Sequence, residues 1–161
     1  MATTNVFQAE EAKDVRPSIS PEGAGKVFAV RGEYDLAAAL ILDDVIEMVK
    51  LPADCVPVDA ILDTDDLDTN ATPLITLDAG IMSGTPGDAN IARTVGTELF
   101  AASTVGQAGG VVRPSAVTAF RVAPASADRS VGILVKAAPA TGAATGKIGF
   151  TLLYRAARAG E

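Results

Sequence analysis

Lys147-Ile148-Gly149-Phe150-Thr151-Leu152-Leu153-Tyr154-Arg155 decides the fold. Ile148, Phe150, Leu152 and Tyr154 fall at every second position, so an extended chain sets all four on one side. A helix would scatter them around its circumference. Ala116–Ala123 repeats the mark: Val117, Ala119 and Arg121 share one face, and Thr118, Phe120 and Val122 share the other. Working back along the chain, apolar runs of similar length predict strands at Lys26–Tyr34, Leu36–Leu42, Val45–Leu51, Val56–Leu62, Leu74–Ile81 and Val131–Ala137. Breakers separate them: Pro52 and Pro57, Thr69-Asn70-Ala71, the turn from Ser83 to Asp88, Gly109-Gly110, and Pro139 with Gly142 and Gly146. Short strands punctuated in this way predict an all-β chain, an antiparallel β-sandwich.

Two segments fit less well. Leu36–Lys50 has helical features, with Leu36, Leu40, Val45 and Val49 roughly on one face and Ala37–Ala39 favouring helix. Asp43-Asp44 lies between two apolar runs, however, and Val45, Ile46 and Val49 are β-branched, which favours strand–turn–strand. Thr97-Glu98-Leu99-Phe100-Ala101-Ala102 is the candidate for a short helix at the sandwich edge, and the chain is expected to hold at most one short helix. Residues 1–25 hold two prolines, two glycines, a mixed charge cluster and few apolar side chains, too few to fold alone. They are expected to form an extended arm that docks on a neighbouring subunit through Val6, Phe7, Val15 and Ile19, leaving residues 26–161 as the sandwich domain.

The 161 residues suit one domain. Of the 48% that are hydrophobic, about thirty residues are Ala, and large side chains are few, with 5 Phe, 2 Tyr and no Trp. The core should therefore be thin, and association with other subunits is a natural source of stability. No stretch resembles a signal peptide, and the longest apolar run, Leu36–Leu42, is far too short to cross a membrane. The expectation is a soluble chain made in a cytoplasm, with no membrane partner. The net charge of −7 argues against a nucleic-acid partner.

That charge is unevenly placed. Residues 1–32 are neutral, residues 33–88 carry 13 acidic groups against Lys50, and residues 89–161 carry a net +5. Acidic loops are expected to meet Arg113, Arg121, Arg129 and Arg155, in the same subunit or the next, or else to face water.

Few motifs carry chemistry. There is no histidine, which removes the common catalytic triads and most zinc and haem sites. Asp63, Asp65, Asp66 and Asp68 form a weak calcium motif. The EF-hand glycine is replaced by Asp68 and the bidentate glutamate by Leu74, so a solvated acidic turn is favoured. Asp63-Thr64-Asp65 resembles the paired aspartates of sugar-nucleotide transferases without a nucleotide fold around it. Thr141–Ile148 misses the phosphate-loop pattern at its first Gly and at its final Ser/Thr. Gly23-Ala24-Gly25 lacks the rest of a dinucleotide fingerprint. A glycosidase carboxylate pair is disfavoured by aspartates placed in turns and by the few aromatics for stacking a sugar. Asn70-Ala71-Thr72 is a chance sequon. Cys55 has no activating neighbour in the sequence and is expected as a buried or half-buried thiol, with an intersubunit disulfide the alternative.

From Asp44-Val45-Ile46-Glu47-Met48-Val49-Lys50-Leu51-Pro52-Ala53 the chain runs through Val58-Asp59-Ala60-Ile61-Leu62-Asp63-Thr64-Asp65-Asp66-Leu67-Asp68 and Leu77-Asp78-Ala79-Gly80. It then reaches Asp128-Arg129, Ala140-Thr141-Gly142-Ala143-Ala144-Thr145-Gly146 and Leu153-Tyr154-Arg155. This order, over residues 26–158, resembles small virion structural proteins of tailed bacteriophages, the head decoration (cement) proteins among them. The resemblance implies a jelly-roll-like sandwich, a homotrimer, and attachment to the major capsid protein on the capsid exterior. It implies no catalytic residue, no cofactor and no enzymatic activity. The rival readings are a tail or neck component, a head-displayed host- or glycan-binding module, and a calcium-stabilised enzyme.

Overall fold

The structure, a computed structural model, describes residues 6–8 and 26–157. Among the described residues nine strands form two sheets: β1 (Val6–Gln8), β2 (Phe28–Asp35), β3 (Val45–Leu51), β4 (Cys55–Thr64), β5 (Thr76–Ile81), β6 (Phe100–Ser103), β7 (Gly110–Val112), β8 (Arg129–Ala137) and β9 (Lys147–Ala156). One sheet has the order β1-β3-β8-β5-β6, the other β2-β9-β4-β7. Every pairing is antiparallel except β1 with β3. The chain passes from one sheet to the other at each connection but β5–β6. The expected all-β sandwich is what the residues build.

The two sheets differ in how they meet water. In the β2-β9-β4-β7 sheet, Ile148, Phe150, Leu152 and Tyr154 of β9 point inward and are buried, while the alternate residues face out. That sheet shows the period-two alternation of a half-buried surface. The β3 strand, by contrast, is buried at every position but Lys50. Its outer face is covered by residues 82–99, which fold back across the sheet. Met82 closes over Gly132, where a Cβ would collide with Met82 Sδ and stand 2.8 Å from the Ile46 carbonyl oxygen. Arg93, 2% exposed, reaches Glu47, which is fully buried on β3, at 2.8 Å. Glu47 also accepts from the Gly87 N–H at 3.0 Å and from the Ser130 hydroxyl, and Arg93 donates to the Ser83 and Asp88 carbonyls at 2.8 Å each. A charge pair in this position is tolerated because these further hydrogen bonds replace the lost water.

Between the sheets lie small aliphatic side chains, among them Ile46, Leu62, Leu77, Ile133 and Ile148. Phe150 meets Phe100 edge-on at 6.4 Å and so ties the two sheets together, while Phe28 stacks on Tyr154 at 5.8 Å. Pro57 is accommodated where β4 shifts register against β9, between Pro57 and Asp59.

Three expectations fail, each for a local reason. Leu36–Leu42 is not a strand but a loop: Leu36 and Leu40 plug the end of the sandwich, their neighbours face water, and the Asp44 carboxylate takes the Ile41 N–H at 2.9 Å. Ala116–Ala123 is not a strand either. Val117–Phe120 is a turn of 3-10 helix, with Ala119 buried and Val117 and Phe120 exposed, in a stretch bracketed by Pro114 and Pro124. Thr97–Ala102 is not a helix, because the free edge of β5 recruits Phe100–Ser103 as β6. A second 3-10 turn, Val105–Gln107, connects β6 to β7.

Candidate interaction surfaces

One end of the sandwich gathers residues 36–44, 65–75, 104–109 and 138–146. Backbone hydrogen bonds knit them: Leu36 N–H to Gly146 O, Leu67 N–H to Gly106 O, and Thr69 N–H to Thr141 O. At the centre lies Asp68, 1% exposed. Its Oδ2 accepts the N–H groups of Leu74 (2.7 Å), Ile75 (3.2 Å) and Ala140 (2.8 Å), and its Oδ1 accepts that of Thr141 (2.8 Å). Burial alone would raise its pKa. The N–H donors of Thr141, Leu74, Ala140 and Ile75 outweigh burial and hold the carboxyl well below the usual carboxylate range. The Thr141–Ile148 loop thus uses its N–H groups within the protein: Thr141 on Asp68, Ala143 on the Leu67 carbonyl and Lys147 on Asp65.

The other calcium candidates have separate partners. Asp63 forms a bidentate pair with Arg31 at 2.7 and 2.9 Å, Asp65 accepts the Lys147 N–H at 2.8 Å, and Asp66 accepts the Asp68 N–H at 3.0 Å. Among the described residues no group of three or more His, Cys, Asp or Glu is placed to hold a metal ion. Asn70 of the sequon donates to the Thr141 hydroxyl at 2.9 Å. Cys55 is a buried free thiol, and burial foremost, then Asp54 and Asp128, pushes its pKa up.

The four arginines singled out by sequence have different fates. Arg113 pairs with Asp59. Arg129 donates to the carbonyls of Ala123 (2.9 Å) and Cys55 (3.0 Å), and Arg155 to that of Ala156 (3.0 Å). Arg121 is exposed. Charge contacts that sequence reasoning did not pick out matter as much. Arg31 crosses the open face of β9 to Asp63, while Lys147 meets Glu33 at 3.1 Å and Asp35 at 3.5 Å. Gly149 makes the crossing possible, since a Cβ there would collide with the Arg31 guanidinium. Alternation on one strand signals an outward Gly, but not which charges pass over it.

Of the proposed arm, Val6 and Phe7 lie in β1, opposite Val45 and Ile46 of the same chain. The described part of the arm therefore extends its own sheet. Val15 and Ile19 lie outside the described residues.

Eight large apolar side chains are exposed among the described residues, and six of them fall in two places. Ile41, Leu42 and Leu74 lie at the loop end just described, and Val111, Val117 and Phe120 lie along the β7 edge. These are surfaces suited to contact with another protein.

A chain of the capsid of Ralstonia phage GP4 is 52% identical and superposes with a TM-score of 0.84, over 93% of this chain and 97% of that one. This chain belongs to a family of bacteriophage capsid proteins. A chain from the capsid asymmetric unit of cyanophage Pam1 is similar at 28% identity and a TM-score of 0.66, covering 89% of this chain and 94% of that one. No family model and no curated protein matches the sequence. The capsid protein described here is thus a structural component of a phage virion, and its exposed apolar patches belong to a molecule that works within an assembly.

Proposed function

We propose that the protein is a decoration (cement) protein, a homotrimer that binds the major capsid protein on the exterior of the assembled head and acts by adhesion, without catalytic turnover. The observation that carries this reading is the near full-length likeness to a chain of the GP4 capsid. The molecule is a small sandwich that leaves Ile41, Leu42 and Leu74 exposed at one end and Val111, Val117 and Phe120 exposed along one edge. A protein that binds the assembled shell and not its dissociated subunits stabilises the shell by mass action. Repeated copies make modest contacts additive.

The test is add-back. Heads assembled without this chain are mixed with purified protein, and bound protein is measured after sedimentation together with the temperature at which the heads release DNA. Saturable binding and a raised release temperature are expected. Heads that bind none of it, or bind it without gaining heat resistance, contradict the proposal.

A further inference from the structure

Of the eight large apolar side chains most exposed among the described residues, six fall on two surfaces. Val111 (70% exposed), Val117 (60%) and Phe120 (58%) line the free side of β4. There β7 pairs Val111 with Asp63 and Val112 with Leu62, Arg113 reaches Asp59, and the Val117–Phe120 turn packs against β4. Ile41, Leu42 and Leu74 belong to the loop end, where Leu74 donates its N–H to Asp68 and Ala39 lies against Gly142.

The two surfaces offer charges of opposite sign. Residues 110–127, which with β4 supply the edge, contain Arg113 and Arg121 and no Asp or Glu; Arg113 is paired with Asp59 of β4, so the exposed Arg121 is the cation the edge offers. Residues 36–44, 65–75, 104–109 and 138–146, which form the loop end, contain no Lys or Arg and expose Asp43, Asp65 and Asp66, while Asp44 and Asp68 are buried. Joining edge to edge about a twofold axis would set arginine against arginine, and end to end would gather carboxylates. Edge against end satisfies both, apolar on apolar and arginine beside aspartate.

We infer that the β7 edge of one copy docks on the loop end of a second copy, with Val111, Val117, Phe120 and Arg121 on one side and Ile41, Leu42, Leu74 and Asp43 on the other. Such a contact is heterologous, and it closes into a ring when the rotation between neighbours allows. The inference rests on the self-association in the proposed function and names its surfaces.

The experiment uses the full chain and two exposed substitutions, Phe120→Asp in the edge and Leu42→Asp in the end, with Val117→Asp and Leu74→Asp as second variants. Circular dichroism and thermal melting confirm that each is folded. In sedimentation velocity each variant alone should fall to a monomer, with the dissociation constant raised at least about thirtyfold. An equimolar mixture of the two should form a dimer and stop there, because Phe120→Asp retains a sound end and Leu42→Asp a sound edge. Variants that keep the wild-type mass, a wild type that is monomeric, or a mixture that stays monomeric would each overturn the inference. Full oligomer with lost head binding in Phe120→Asp would also overturn it, since the edge would then face the shell. A mixture that dimerises as expected, from a wild type that leaves heads unbound, would uphold the inference and remove the decoration role.

Discussion

At the scale of single residues, two buried acids organise the molecule. Asp68 replaces water with five backbone N–H groups drawn from two loops, so it joins residues far apart in sequence. Its folded-state pKa is depressed, so its stabilisation is present above the unfolded value of about 3.9 and is lost as pH falls below it. Asp68→Asn should lower the melting temperature at pH 7. The gap to wild type should narrow between pH 5 and pH 3, because the wild type loses what the variant already lacks. Calorimetry across that range checks this, and a gap that widens in acid contradicts it. Glu47 acts differently, through Arg93. Arg93→Leu leaves a buried carboxylate without its cation and should cost about 3–5 kcal/mol in urea unfolding. Replacing both partners by Leu should recover part of that loss.

At the scale of elements, the open face of the β2-β9-β4-β7 sheet is held by side chains that span strands. Gly149→Ala would push the Arg31 guanidinium off its path to Asp63. The ion pair is exposed and worth at most about 1 kcal/mol, and the groups a Cβ would meet are the far ends of two flexible, partly exposed side chains, so Gly149→Ala should cost no more than the pair itself. In an Arg31→Ala background Gly149→Ala should therefore cost nothing further in denaturant titrations, a non-additivity that simple loss of a glycine would not show. Elements with a strong period of their own were legible in the sequence. The β9 strand shows its buried side chains at alternate positions, and β3 is a run of β-branched and apolar residues with matching limits. What was not legible depends on partners distant in sequence. Phe100–Ser103 becomes a strand because β5 offers an edge, and Val117–Phe120 turns because nearby prolines deny it a ladder. The Asp68 cluster was legible as acidic but not as a clamp, since its donors lie up to 73 residues away. The N-terminal segment contributes one short strand to the edge of β3. Removing residues 1–25 should leave the sandwich folded and reduce the number of copies retained on heads. Gel densitometry of purified heads measures this, and unchanged occupancy would contradict an adhesive role for the segment.

At the scale of the whole molecule, the sandwich presents an apolar edge beside the exposed Arg121 and an apolar loop end beside exposed aspartates, and the buried carboxylates serve the fold. The exposed Phe120 and the acidic loop end suit a subunit completed by its neighbours. A capsid protein that sits on the outside of the assembled shell and grips it through contacts among its copies is visible by electron microscopy of the intact virion. Density for the sandwich is expected on the outer surface of the head, in threefold clusters, with Val117 and Phe120 of one copy against Leu42 of the next. Density in the tail or neck, or isolated single copies on the head with both patches facing solvent, would contradict it.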